Sequence, residues 1–258
     1  MTSQTSSLNH SPAVLRLEEN QVGRDFVVGD IHGMFSTLDQ LLRDINFAPD
    51  SDRLISVGDL IDRGNESTRA LEFIAKPWFY SIMGNHESML LKSFEDSLTY
   101  KNWTEQNGGE WWPAVDKSTK QQMREAFSVL PYAIEIATAK GKIGVVHAGV
   151  TTRTHWDTFV EKLETDEHVR DYALWTRSHY DRFNAVGNAE TIAGVKYVIV
   201  GHTPTQEPIQ AGNIRYIDTG AVYNLKRLGN LTALQIHPTL EYFSCAAHSR
   251  KKKRWLFG

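Results

Sequence analysis

The 258-residue sequence predicts an α/β fold with mixed β-sheets. Short, nearly continuous β-branched runs recur along the chain, and most of them open directly into polar loops that carry glycine. Amphipathic helical stripes lie between several of these runs, and the last third reads as strands alone. Alternating strands and helices, followed by paired strands, imply that layout. Apolar runs of about four to five residues without alternation indicate strands covered on both faces.

The elements follow in order. Phe26-Val27-Val28 runs into Gly29-Asp30, and Leu54 to Val57 runs into Gly58-Asp59. Phe79 to Met83 leads to Gly84-Asn85-His86, Ile143 to Val146 ends at His147, and Tyr197 to Val200 ends at Gly201-His202. After the first loop, Ser36 and Asp39 form an S-x-x-D capping box. Leu38, Leu41, Leu42 and Ile45 then follow the stripe of a core-facing helix. A second helix is expected over Ser67 to Ala75. A mostly helical insertion is expected over about 88–130, with an irregular middle at Asn107-Gly108-Gly109 and Trp111-Trp112-Pro113. Ile214 to Ile217 and Leu231 to Ile236 complete the strands.

Composition narrows the class. The 41% apolar content supplies a core, which excludes a disordered chain. Twenty-eight basic against 31 acidic residues leave a net charge of −3, so no general attraction to nucleic acid or anionic membrane is expected. The single cysteine, Cys245, cannot form an intrachain disulfide, and no stretch approaches the roughly 20 apolar residues of a membrane span. The expectation is a cytoplasmic monomer with one domain over 23–246. A polar, flexible lead-in over 1–22 would precede it, and a basic tail over 247–258 would follow.

The chemistry lies at the strand ends. Asp30 and His32, Asp59, Asn85 and His86, His147, and His202 are oxygen and nitrogen donors that suit divalent metals. A lone Asp-x-His is a common polar turn, and a lone histidine after an apolar run is commonly a satisfied core residue. Five such ends in one chain need shared partners, which metal ions supply. No cysteine takes part, so a structural zinc cluster is not indicated. Arg63, beside Asp62, and Arg177, in Leu174-Trp-Thr-Arg, offer guanidinium forks that match phosphate oxygens.

The motifs GDIHG (29–33), GDLIDRG (58–64), GNHE (84–87), His147-Ala-Gly and GHTP (201–204) resemble the phosphoprotein phosphatase family of metallophosphoesterases. Leu174 to Arg177 and Tyr216 to Val222 are similar to its bacterial and phage branch. The resemblance spans about 25–236 and implies the calcineurin-like metallophosphoesterase fold, two mixed sheets packed as a sandwich and flanked by helices. It further implies two divalent ions, manganese first, with iron, zinc or cobalt also accepted by such ligands. Asp30 and His32 would hold one ion, Asp59 would bridge both, and Asn85, His147 and His202 would hold the second. His86 would be the general acid oriented by Asp62, and Arg63 and Arg177 would bind the phosphate. Ala148 and Met83 depart from the family pattern, in which a glycine and an arginine are common.

The implied activity is a metal-dependent phosphomonoesterase that removes phosphate from phosphoserine and phosphothreonine, and from phosphotyrosine as an extension. The attack would be direct, by a metal-bound hydroxide. Small phosphate esters are also expected substrates. Two alternatives share the scaffold. One is a hydrolase of the bis(5'-nucleosyl)-tetraphosphatase kind, whose motifs GNHD and GHW differ at Glu87 and Thr203. The other is a catalytically inactive phosphate-binding module, which a lost ligand would signal; every ligand is present.

Overall fold

The computed structural model describes residues 12–187 and 189–247. The chain opens with strands β1 (Val14–Leu17) and β2 (Asp25–Val28), helix α1 (Phe35–Asp44) and strand β3 (Arg53–Ser56). A 3-10 turn (Ser67–Arg69), α2 (Ala70–Ile74) and β4 (Phe79–Ser81) follow. The next segment is helical: α3 (Asn85–Lys92), α4 (Ser97–Gln106), a 3-10 turn (Trp112–Ala114) and α5 (Lys117–Ser128). Then come β5 (Ala133–Ile136), β6 (Ile143–Val146), α6 (Trp156–Thr165), α7 (Glu167–Trp175) and α8 (Ser178–Val186). Strands β7 (Tyr197–Val200), β8 (Ile209–Ala211), β9 (Ile214–Tyr216), β10 (Asn230–His237) and β11 (Glu241–Ala246) close the described chain.

The strands form two sheets, one of six strands in the order β1-β5-β6-β7-β9-β8 and one of five in the order β11-β10-β2-β3-β4. Both are mixed. Strands β2, β3 and β4 are parallel, and β10 joins β2 antiparallel. Strands β6, β7 and β9 are parallel, and β5 joins β6 antiparallel.

The sandwich explains the unbroken apolar runs. Successive side chains on a strand point to opposite faces, and here both faces are buried. Val27, Ile55 and Ile82 meet Ile134, Val145 and Ile199 between the sheets. Phe26, Leu54 and Phe79 point outward into the packing of Phe35, Leu38 and Leu41. On the far side, Val146 and Val198 pack on Trp156 and Phe159 of α6. Among the described residues no helix is long and apolar enough to cross a membrane.

Three expectations are corrected. The lead-in does not extend over 1–22, because Val14–Leu17 pairs in register with Ala133–Ile136 and Ala13 and Val14 are buried. Residues 1–11 and nearly all of the basic tail, 248–258, lie outside the described residues. Ser36 does not cap α1, which starts at Phe35; its backbone N–H and hydroxyl both donate to the Glu66 carboxylate, which therefore serves the helix start from thirty residues away. The helix expected over 67–75 opens as a 3-10 turn, where Ser67 Oγ accepts the Asp62 N–H at 2.9 Å.

Candidate metal and active site

Parallel β2, β3 and β4 all point their C-terminal ends to one edge of the five-stranded sheet, and β6 and β7 do the same in the six-stranded sheet. Packing the sheets brings the two edges together. His147 Nδ1 donates to the Val57 carbonyl at 2.7 Å, across the sandwich. Gly201 lies so close to Asp30 that a Cβ there would overlap the carboxylate. A Cβ on Gly84 would likewise overlap the side chain of Asp59.

The strand ends turn sharply. Seven non-glycine residues among those described have positive φ, and five of them are here: His32 (44°), Asp59 (49°), Asp62 (74°), Arg63 (67°) and His202 (62°). Each pays for a left-handed backbone that L side chains seldom adopt, a strain that gathers at functional sites.

Asp59 is the centre. Its Oδ2 lies 3.5 Å from both His32 Nε2 and His147 Nε2, and 3.8 Å from His86 Nε2. Two donor groups share it: His32, Asp59 and His86, and Asp59, His147 and His202, each with ligand atoms within 4.8 Å of one another. Asn85 Oδ1 joins the second, 2.8 Å from His147 Nε2 and 2.9 Å from His202 Nδ1. Asp30 stands just outside both. Its Oδ2 is 4.0 Å from His32 Nε2, and the carboxylate accepts the His202 N–H at 3.1 Å. His86, expected as an acid alone, is the member that the structure adds to the first group.

The donor set fits divalent cations. His147 gives its Nδ1 hydrogen to Val57, so a neutral ring presents a bare Nε2 lone pair to Asn85 Oδ1. Such lone pairs repel unless one cation takes both, and neighbouring ligands on an ion about 2.1 Å away stand roughly 3 Å apart. His202 Nδ1 stands 2.9 Å from the same Asn85 oxygen, and one cation between them would satisfy both atoms.

The charges sort the histidines. Burial holds His32 and His147 below their usual range, and burial with the neighbouring His147 takes His202 down to about 3. Neutral imidazole is the ligating form. Burial acts the same way on His86, but the charge of Asp59 and the hydrogen bond to Asp62 outweigh it and leave His86 raised. Asp59 resists burial and stays low because His147, His86 and His32 surround it. Asp30 is pushed well up by burial and then by Asp218 and Asp59. Asp218 is pushed up to about 7, chiefly by burial. Closely spaced buried carboxylates of this kind need positive charge.

The remaining residues frame this centre. His86 Nδ1 is 2.6 Å from Asp62 Oδ2, and Asp62 is fully buried. Arg63 Nη1 donates to His32 Nε2 at 2.6 Å. Arg177, just before α8, donates to the His202 carbonyl at 3.4 Å. Both arginines are exposed at the rim above buried donors. The ten residues expected from the sequence therefore lie together. Sequence reasoning assigned no role to Asp218, to Glu87, or to Trp103 and Trp111, whose indole N–H groups both donate to Asp62. For Asp218 and Glu87 the signal was present, inside the Tyr216 to Val222 stretch and GNHE.

Comparison with known proteins agrees with this geometry. Residues 26–206 match the calcineurin-like phosphoesterase family. The chain is 36% identical to serine/threonine-protein phosphatase 2 of Salmonella typhimurium, over 82% of this chain and 92% of that protein. It is 28% identical to a bis(5'-nucleosyl)-tetraphosphatase of Bacillus cereus, over 84% of this chain and 92% of that one. A solved protein serine/threonine phosphatase from Saccharomyces cerevisiae has the same fold, with a TM-score of 0.65 at 15% identity, covering 94% of this chain and 86% of that chain. With its match over most of the chain and its metal-suited strand ends, the protein belongs to the calcineurin-like phosphoesterase family.

Proposed function

We propose that this protein is a metal-dependent phosphomonoesterase that hydrolyses phosphoserine and phosphothreonine in proteins, within a unit spanning 14–246. The observation that carries the reading is one carboxylate, Asp59, shared by two histidine groups, with a buried His86–Asp62 pair beside it. His32 with Asp30 would hold one divalent ion, and Asn85, His147 and His202 the other, with Asp59 between them; manganese suits these donors. Such ions, when bound, lower the pKa of a water and neutralise phosphoryl charge.

The chain's own residues do the rest. Arg63 and Arg177, exposed above the centre, grip the phosphoryl oxygens as charge redistributes. His86 holds a proton on Nε2 for the departing serine oxygen while Asp62 holds its Nδ1 hydrogen and so fixes the ring. The Bacillus cereus relative supports dinucleoside polyphosphate hydrolysis as a second reading. Against it stands Glu87, which reaches four backbone N–H groups of the Asp59 and Gly84 loops. The test is a panel with manganese and with chelator: phosphoserine and phosphothreonine peptides, a phosphotyrosine peptide and diadenosine tetraphosphate. Chelator-sensitive turnover highest on the first two is expected; preference for the dinucleotide would move the assignment to the second reading.

A further inference from the structure

Asp62 has more partners than an acid's orienting residue requires. Its Oδ2 takes His86 Nδ1 at 2.6 Å and Trp103 Nε1 at 2.5 Å, and its Oδ1 takes Trp111 Nε1 at 2.7 Å. A carboxylate offers about four lone-pair sites, and three of those on the fully buried Asp62 are occupied by N–H donors. Both indoles come from the helical segment between β4 and β5: Trp103 on α4 and Trp111 just before the following 3-10 turn. The turn between them is tightly built. Gly108 accepts the Arg63 N–H at 3.0 Å and has φ of +87°, and a Cβ on Gly109 would stand 2.6 Å from the Trp103 ring.

The choice of indole is chemically specific. Its N–H donates and cannot accept, so neither ring can take the proton that His86 holds or turn to serve as an alternative acceptor. The indoles also leave His86 as the only hydrogen-bond partner of Asp62 among the described residues that can exchange a proton. Two donors on different oxygens fix the carboxylate plane, and the plane fixes the direction of the His86 ring.

We propose that Trp103 and Trp111 are positioning residues for the proton donor, holding Asp62 so that His86 faces the leaving oxygen. The inference rests on the proton-donor reading of His86. A lost positioning bond matters most where the leaving group needs a proton: serine alkoxide leaves poorly, nitrophenolate leaves readily.

The experiment compares turnover of a phosphoserine peptide and of nitrophenyl phosphate by the manganese-loaded full chain and its variants. His86→Asn tests the underlying reading and should lose far more on the peptide. Trp111→Phe, at a half-buried ring, should then lose about tenfold on the peptide and under about twofold on nitrophenyl phosphate. Trp103→Phe is a second variant with the same expected selectivity. Trp112→Phe removes the same atoms from the same aromatic cluster, at a ring 5.5 Å from both Trp103 and Trp111, but no bond to Asp62. It should leave the ratio of the two activities unchanged. In an Asp62→Asn background, Trp111→Phe should not shift that ratio further. A selective His86→Asn beside an unselective Trp111→Phe, or a Trp112→Phe that matches Trp111→Phe, would overturn the inference alone. An unselective His86→Asn would remove the proton-donor reading and the inference with it.

Discussion

Glu87 offers a sharp test of how the site is held. It is fully buried at the third position of α3, and its carboxylate joins two loops. Oε2 accepts the N–H groups of Asp59 and Gly84, both at 2.9 Å, and Oε1 accepts that of Leu60 at 2.8 Å. Glu87→Gln keeps the shape but only one acceptor. In its better orientation the amide oxygen serves Asp59 and Gly84, and the NH₂ then faces the Leu60 N–H and, at the longer 3.4 Å, that of Ile61. One orphaned buried donor costs about 1–3 kcal/mol. At about 2 kcal/mol, Tm should fall by roughly 4–8 °C for a chain of this size. The loop also carries Asp59 at a φ of 49°, a conformation that the carboxylate helps to impose. Manganese affinity should therefore drop about 10–100-fold, the usual scale for a residue that supports a ligand. The assay is thermal unfolding in chelator, with a manganese titration in parallel. A variant with wild-type Tm and wild-type affinity would refute this account of how the Asp59 loop is held.

Three further outcomes follow from the geometry. Asp59→Asn should lose the most bound manganese and the most turnover of any ligand variant, as read by metal analysis of desalted protein, because both histidine groups share that carboxylate. Arg177→Ala should keep its metals and lose about 10–100-fold in turnover, with weaker inhibition by phosphate, the scale of one charge-assisted hydrogen bond. Asp52 is buried, which raises its carboxyl, but hydrogen bonds from Arg24 and the Ala48 N–H outweigh burial and hold it below the usual range. A lowered folded pKa gives stability that is complete above the unfolded value, about 4, and fades as pH falls through the folded value. Asp52→Asn should thus lower Tm at pH 6, and its gap to the parent should narrow as the pH falls below about 4; a gap constant with pH would contradict this.

The candidate site was legible because its residues sit where local sequence announces them. An apolar run that stops at glycine and then Asp or His marks a strand end, and parallel strands carry those ends to one edge. What the sequence concealed depends on distant partners. Glu66 serves the start of α1 from another loop, so Ser36 looked like a local cap. Val14–Leu17 buries only Val14 fully and exposes Arg16, and only its pairing with β5 makes it a strand. Strand β11 is an edge strand whose side chains are mostly exposed or partly exposed, so it lacks the unbroken apolar run of its neighbours. Trp103 and Trp111 look like core aromatics in a helical segment, and the carboxylate they meet is some 40 to 50 positions earlier in the chain.

The strand order has a consequence for the order in which the molecule can be completed during synthesis. The last of the ten candidate residues is His202, yet β2, which delivers Asp30 and His32, takes its antiparallel neighbour from β10 at Asn230–His237. Strand β11 then covers the edge of β10. A ribosome that has just released His202 has supplied every candidate donor while β2 still presents an open edge, a template for unwanted pairing. Closing the sheet waits for some forty more residues, a matter of seconds at the usual pace of elongation. The distal strands thus decide when the donors already made become a finished site.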